Sequence, residues 1–143
     1  MIASLETLVV AVTLLMATFT DLRTREVPNW LTFGGIGSGV IVAALHGTDA
    51  LVVSLLGTLI GGSIIIPFVL IGSFGAADAL LLAAIGAWKG PEFMVWTAWW
   101  MSLVGAALAT VAWRRGHVTF PYVPAIAIGA ALSIALPLLP ELN

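Results

Sequence analysis

Polar positions along the chain are sparse and fall between apolar runs rather than alternating with them, which is the pattern of helices that cross a bilayer. Six runs stand out: Ile2 to Thr20, Asn29 to Leu45, Ala50 to Ile71, Asp78 to Trp88, Phe93 to Trp113 and Phe120 to Leu139. They predict an all-α membrane protein, a six-transmembrane-helix bundle forming a single polytopic domain over residues 1–143. The fourth run is too short to cross about 30 Å at about 1.5 Å per residue. Either the loop before it dips into the membrane, or its helix continues past Lys89 and Gly90 with a break at Pro91. Pro28 is expected in the first turn of the second helix, and Pro67 should kink the third. Gly35 with Gly39, and Gly57 with Gly61, have the small-xxx-small spacing that lets helices approach closely. Trp96, Trp99, Trp100 and Trp113 fit interfacial anchors near the ends of the fifth helix.

Composition strengthens this picture. Of the 143 residues 61% are hydrophobic and 8% charged, where a soluble domain has about a quarter charged. A net charge of −2 without a basic tract argues against nucleic acid as a partner, and the bilayer itself becomes the expected one. Cysteine is absent, which removes thiol nucleophiles and cysteine metal sites. The first run lacks a preceding cation and a small-residue cleavage site, so it is expected to be a retained helix rather than a signal peptide. Arg23, Arg25, Arg114 and Arg115 fall on one side and Lys89 on the other. By the positive-inside rule both termini then lie on the non-cytoplasmic side, and Asp21 and Asp78 share the cytoplasmic side.

Asp78 follows a small-residue loop and opens an apolar run where packing asks for no carboxylate. An ionisable group at such depth costs about 2.5–3.5 kcal/mol and marks function by default. Elimination narrows the chemistry. The lone lysine, Lys89, is expected far from both aspartates, which disfavours a Ser/Lys site. Ser38 lacks a rhomboid-type Gly-x-Ser-Gly turn, and His46 and His117 are expected on opposite sides without a His-Glu-x-x-His pattern, so no metal is expected. Two aspartates in a dry site share a proton and titrate as a coupled pair; one takes a proton from water while the other donates to a peptide carbonyl, with no cofactor. The structural alternative is that Asp21 caps a helix end or pairs with Arg23 or Arg25, and that Asp78 is the N-cap of the fourth helix.

Asp21-Leu22-Arg23-Thr24-Arg25-Glu26-Val27-Pro28-Asn29 resembles the first catalytic motif of type IV prepilin peptidases. Gly75-Ala76-Ala77-Asp78 and the helix after it resemble their Gly-x-Gly-Asp motif, and Phe120-Pro121-Tyr122-Val123-Pro124 is similar to their last-helix signature. The three stand in family order. The resemblance implies a GxGD-type intramembrane aspartic endopeptidase of a prokaryotic cytoplasmic membrane. It would remove the basic leader from a prepilin-like substrate that continues as an apolar helix. Asp21 and Asp78 would form the dyad, supported by Gly75, Ala76, Ala77, Pro28, Asn29, Pro121 and Tyr122. Larger members carry zinc-binding cysteines linked to N-methylation; this chain has none, so the resemblance is to the short, peptidase-only form associated with tight-adherence pili.

Two positions depart from the family pattern. Ala77 stands where the family has glycine, and Leu80 where it commonly has lysine. If that glycine serves a positive φ or a close backbone approach to substrate, alanine adds strain of order 1 kcal/mol or a steric block. Two other readings therefore stand beside the peptidase: a catalytically impaired homologue that binds or scaffolds pilin-like helices, and a small transporter using both aspartates as a proton relay.

Overall fold

A computed structural model describes residues 2–70, 75–116 and 122–136. Its described residues form six helices and no strand: α1 (Ile2–Thr24), α2 (Asn29–His46), α3 (Thr48–Ile64), α4 (Ile66–Leu70), α5 (Ala76–Arg114) and α6 (Val123–Ala135). By length and apolarity Leu5–Thr24, Thr48–Leu70 and Ala76–Arg114 suffice to cross a membrane, and Val123–Ala135 is a shorter apolar helix. The chain has the character of a multi-pass membrane protein.

The element boundaries follow from local chemistry. α1 stops because Arg25 turns left-handed (φ 56°), its N–H still bonded to the Asp21 carbonyl at 2.9 Å. Pro28 is the N-cap of α2 in extended conformation (φ −62°, ψ 132°) rather than a residue of its first turn. Its carbonyl begins the helix by accepting from Leu31 at 3.0 Å. Pro67 has no N–H for the Ser63 carbonyl, and the run predicted as one helix divides into α3 and α4 at Ile65. The fourth and fifth runs are continuous in α5 apart from one break at Gly90 (φ 80°, ψ 178°), directly before Pro91. Pro91 cannot donate to the Ala87 carbonyl one turn back. The buried Ser54 hydroxyl takes that place at 2.7 Å, so the break leaves this acceptor satisfied.

α5 is the hub, packing most extensively on α3, then on α6 and α2. The expected glycine spacings explain how. A Cβ on Gly57 would run into the Gly86 carbonyl, one on Gly61 into the Leu82 carbonyl, and one on Gly86 into the Gly57 carbonyl. The α3 and α5 backbones therefore touch directly, within reach of weak Cα–H···O contacts. Gly35 and Gly39 similarly admit Ala84 and Ala87, and the Trp88 indole donates to the Gly35 carbonyl at 3.0 Å. The core comprises Val10, Leu14 and Ala17 of α1, Leu81, Leu82 and Ile85 of α5, and Val123 and Ile126 of α6. Trp99 and Trp113 face outward, as anchors would.

One contact and one charge effect mark α1 and the first half of α5 as antiparallel neighbours: the Lys89 ammonium donates to Thr7 Oγ1 at 2.6 Å at one end, and at the other the charge of Asp21 reaches Asp78. Lys89 thus lies about 16 Å along the helix from Asp78, which agrees with its expected separation from the carboxylates.

Candidate active site

Asp21 lies in the last turn of α1 on the face defined by Val10, Leu14 and Ala17, a helical stripe buried against α5 and α6. Its side chain is 8% exposed. Oδ2 accepts a hydrogen bond from the Val123 main-chain N–H at 3.3 Å. That donor is available for a structural reason. At the start of α6, Ala125 and Ile126 donate to the Tyr122 carbonyl and Pro124 has no N–H, so Val123 is the remaining amide. Asp21 does cap a helix, but the helix is α6, 102 residues away, and not its own. A carboxylate there also meets the positive end of the α6 dipole. The expected alternative of pairing with an arginine is met in part: Arg25 acts on Asp21 electrostatically, while the Arg23 guanidinium lies 4.9 Å over the Phe19 ring.

Asp78 is the third residue of α5 and not its N-cap; Gly75 holds that position in extended conformation (φ −79°, ψ 148°). Asp78 Oδ2 reaches back to accept the Gly75 N–H at 3.2 Å, and the Asp78 N–H donates to the Gly75 carbonyl at 3.1 Å. This is the reciprocal arrangement of a capping box with a glycine in the capping place. Each aspartate is therefore fixed through Oδ2 by a main-chain amide from a helix start, and Oδ1 of each carries no hydrogen bond within the described residues.

The charge of Asp21 acts on Asp78, although the two lie 57 positions apart in sequence (78 − 21). The Tyr122 phenol lies in the field of Asp78, its ring packs where Gly105 has no side chain, and its hydroxyl donates to the Met101 carbonyl at 3.4 Å. Gly105 is thus a silent requirement of the site, since a Cβ there would occupy the phenol's space. Among the described residues no group of three or more histidines and acids could hold a metal ion.

Of the other residues expected around the site, Gly75 and Ala76 are exposed beside Asp78, and Ala77 is half-buried against the core. Ala77 is helical; within the described residues the one non-glycine with positive φ is Arg25, so the expected backbone strain at Ala77 does not occur. Pro28 and Asn29 start α2 just after the Arg25 turn. Pro121 and His117 lie outside the described residues. The Val123 amide and Gly105 were not foreseen; the Tyr-Val-Pro start of α6 is the signal for the first, since proline at the second helical position leaves a lone amide ahead of it.

No solved structure matches the chain. Over 141 residues it is 28% identical to the type 4 prepilin-like proteins leader peptide-processing enzyme of Escherichia coli O78:H11 (strain H10407 / ETEC), covering 93% of this chain and 52% of that enzyme. The chain thus spans about half the length of that relative. Residues 8–110, which contain both aspartates, the Gly90 break and the whole glycine seam, match the type IV leader peptidase family, and the chain belongs to that family.

Proposed function

We propose that the chain is an intramembrane aspartic endopeptidase that removes the basic leader of a prepilin-like substrate. The observation that supports this reading is that Asp21, held by the Val123 amide, acts electrostatically on Asp78, held by the Gly75 amide, in a chain of the leader peptidase family. A water between the two Oδ1 atoms is the nucleophile. The ionised carboxylate takes its proton as the oxygen attacks the scissile carbonyl carbon, and the protonated partner donates to the carbonyl oxygen, giving a neutral tetrahedral diol. In the collapse of the diol the protonated carboxyl gives its proton to the nitrogen as the C–N bond breaks, and the ionised carboxylate takes a hydroxyl proton from the diol, which leaves the carboxylic acid and the amine and restores a singly protonated dyad. The Val123 and Gly75 amides hold the carboxylates in place throughout, so little reorganisation accompanies proton transfer. No cofactor or metal takes part.

In this reading both chain ends face away from the cytoplasm, six segments cross or enter the inner membrane, and the site opens to its cytoplasmic face, where a basic leader lies. The substrate's apolar helix rests in lipid beside the bundle while the scissile segment unwinds, because a helical peptide keeps its carbonyls bonded. Cleavage without N-methylation, as in the tight-adherence form, is part of this reading, since these residues hold no cysteine of the kind that accompanies methylation in larger members. Helical Ala77 places no strain on Asp78, which favours activity over the impaired, scaffolding alternative.

The test is co-expression with a prepilin carrying a basic leader. Conversion to a leader-shortened product by the chain as written, lost in Asp21→Asn and in Asp78→Asn while both variants keep the wild-type melting temperature, supports the proposal. Intact precursor that co-purifies with the wild-type chain supports the scaffolding reading. Proton flux in liposomes without cleavage supports the relay.

A further inference from the structure

At the end of the bundle away from the aspartates, α1, α2, α3 and α5 line an open cavity of about 320 Å³. Gly90, where α5 breaks (φ 80°), forms part of its wall, and Val53 stands where a Cβ on Gly90 would be. Its walls combine apolar side chains, Val42 and Val53 among them, with Ser54 and three ionisable groups from three different helices: Glu6 of α1, His46 of α2 and Lys89 of α5. Glu6 and Lys89 line the same space without forming an ion pair. Lys89 instead spends one of its three donors on Thr7 Oγ1 and lies 5.7 Å from the Phe93 ring centroid. His46 Nδ1 meets the Val42 carbonyl at 2.7 Å, a contact that requires the proton on Nδ1 and makes Nε2 of the neutral ring an acceptor.

The cavity therefore offers donors from Lys89 and acceptors from Glu6 and His46 Nε2. Opposite charges that face one space without neutralising each other complement a ligand carrying both signs. The volume is at the lower end of the range for small-molecule sites, about 300–1,000 Å³, which suits a headgroup rather than a larger organic ligand. The site gathers the start of α1, the end of α2 and the start of α3, so in a membrane-spanning bundle it lies at headgroup level. We infer that this cavity binds a phosphate ester bearing a primary ammonium, the chemistry of a phosphoethanolamine headgroup. Lys89 takes the phosphate, Glu6 and His46 take the ammonium, and the apolar wall takes the methylenes. A choline headgroup has the same charges but no N–H to donate to Glu6 and His46, and a glycerol headgroup has no cation; both bind more weakly. The inference is independent of the peptidase reading, since it uses no residue of the aspartate site.

The experiment is native mass spectrometry of the purified chain in neutral detergent with equimolar phosphatidylethanolamine, phosphatidylcholine and phosphatidylglycerol. The ethanolamine lipid is expected to be retained about tenfold over the others, equivalent to about 1.4 kcal/mol. Lys89→Met should lower retention of both phosphatidylethanolamine and phosphatidylglycerol, while Glu6→Gln should abolish the preference between those two. Should either variant fail to fold, wild-type melting temperature with added sn-glycero-3-phosphoethanolamine, phosphocholine or inorganic phosphate reads the same selectivity. A rise with the soluble ethanolamine ester matching that with the lipid assigns a free ligand; a rise with the lipid alone assigns the membrane lipid. Equal retention of ethanolamine and choline lipids, preferential retention of phosphatidylglycerol, or an ethanolamine preference that survives both substitutions overturns the inference.

Discussion

The two halves of α5 have the same apolar character and opposite surroundings. From Leu81 to Ala87 seven consecutive residues are buried, so that half is enclosed on every side by α1, α2, α3 and α6. After Gly90 burial recurs only every three or four residues, at Met94, Thr97, Met101 and Gly105, while Val95, Trp99, Leu103 and Trp113 point outward. The first half is a protein-lined core helix; the second presents one stripe to α6 and the rest to lipid. The carboxylate stands at the head of the enclosed half, and this placement is what makes it tolerable. At this head the Gly75 amide holds Asp78, and Asp21 and the Tyr122 phenol lie within electrostatic range of it, partners that lipid could not supply.

The comparison breaks most completely at its polar head. Asp78→Asn and Asp21→Asn should each lower prepilin cleavage by about 10²–10⁴-fold or more, with melting temperatures near wild type, because an amide side chain still accepts the main-chain N–H but cannot cycle a proton. Next comes the enclosing wall. Gly86→Val drives a side chain into the Gly57 carbonyl, and backbone cannot yield as a side-chain end can; a loss above about 3 kcal/mol, seen as loss of monodisperse folded protein, is expected. Matched truncations then separate the halves directly. Leu82→Ala, fully buried, should cost about 2–3 kcal/mol by denaturant or thermal unfolding. Trp99→Ala, 60% exposed on the outer half, should cost under about 1 kcal/mol. Equal costs would mean that both halves have the same environment.

Two smaller effects sharpen the boundary of the site. A Cβ at Gly75 meets Asp78 Oδ2 at 3.6 Å and the Ala77 nitrogen at 3.9 Å, ordinary contacts, in a backbone conformation open to any residue. Gly75→Ala should leave the melting temperature unchanged and reduce cleavage about tenfold, because a substrate strand must pass the exposed flank of Asp78. At Arg25 the left-handed turn predicts that Arg25→Gly stabilises by up to about 1 kcal/mol and that Arg25→Val destabilises.

Much of this arrangement was readable from the residues. The glycine pairs announced the seam on α5, Pro67 announced a kink where α3 divides from α4, and Gly90-Pro91 announced the break, one of the two ways open to a run too short to span. The aspartates were recognisable because a charge in so apolar a chain has few innocent explanations. What stayed hidden was the identity of their partners. Main-chain amides carry no letter of their own, so nothing at Val123 declared that its N–H would reach Asp21. The capping alternative was likewise half right: Asp21 caps a helix, but which helix depends on tertiary packing. The expected strain at Ala77 failed because it assumed a loop conformation, whereas α5 starts one residue earlier at Ala76.

The central claim is that Asp21 and Asp78 face one another across a shared water. The natural absence of cysteine makes it directly testable, with Asp21→Cys and Asp78→Cys in one chain and a thiol-to-thiol reagent spanning about 5 Å, the range over which paired carboxylates couple. Rapid intramolecular cross-linking of this pair, with none for Asp21→Cys combined with Lys89→Cys, is the expected result. Failure of the 21–78 pair to link in protein that remains folded, or equal linking of both pairs, would contradict it.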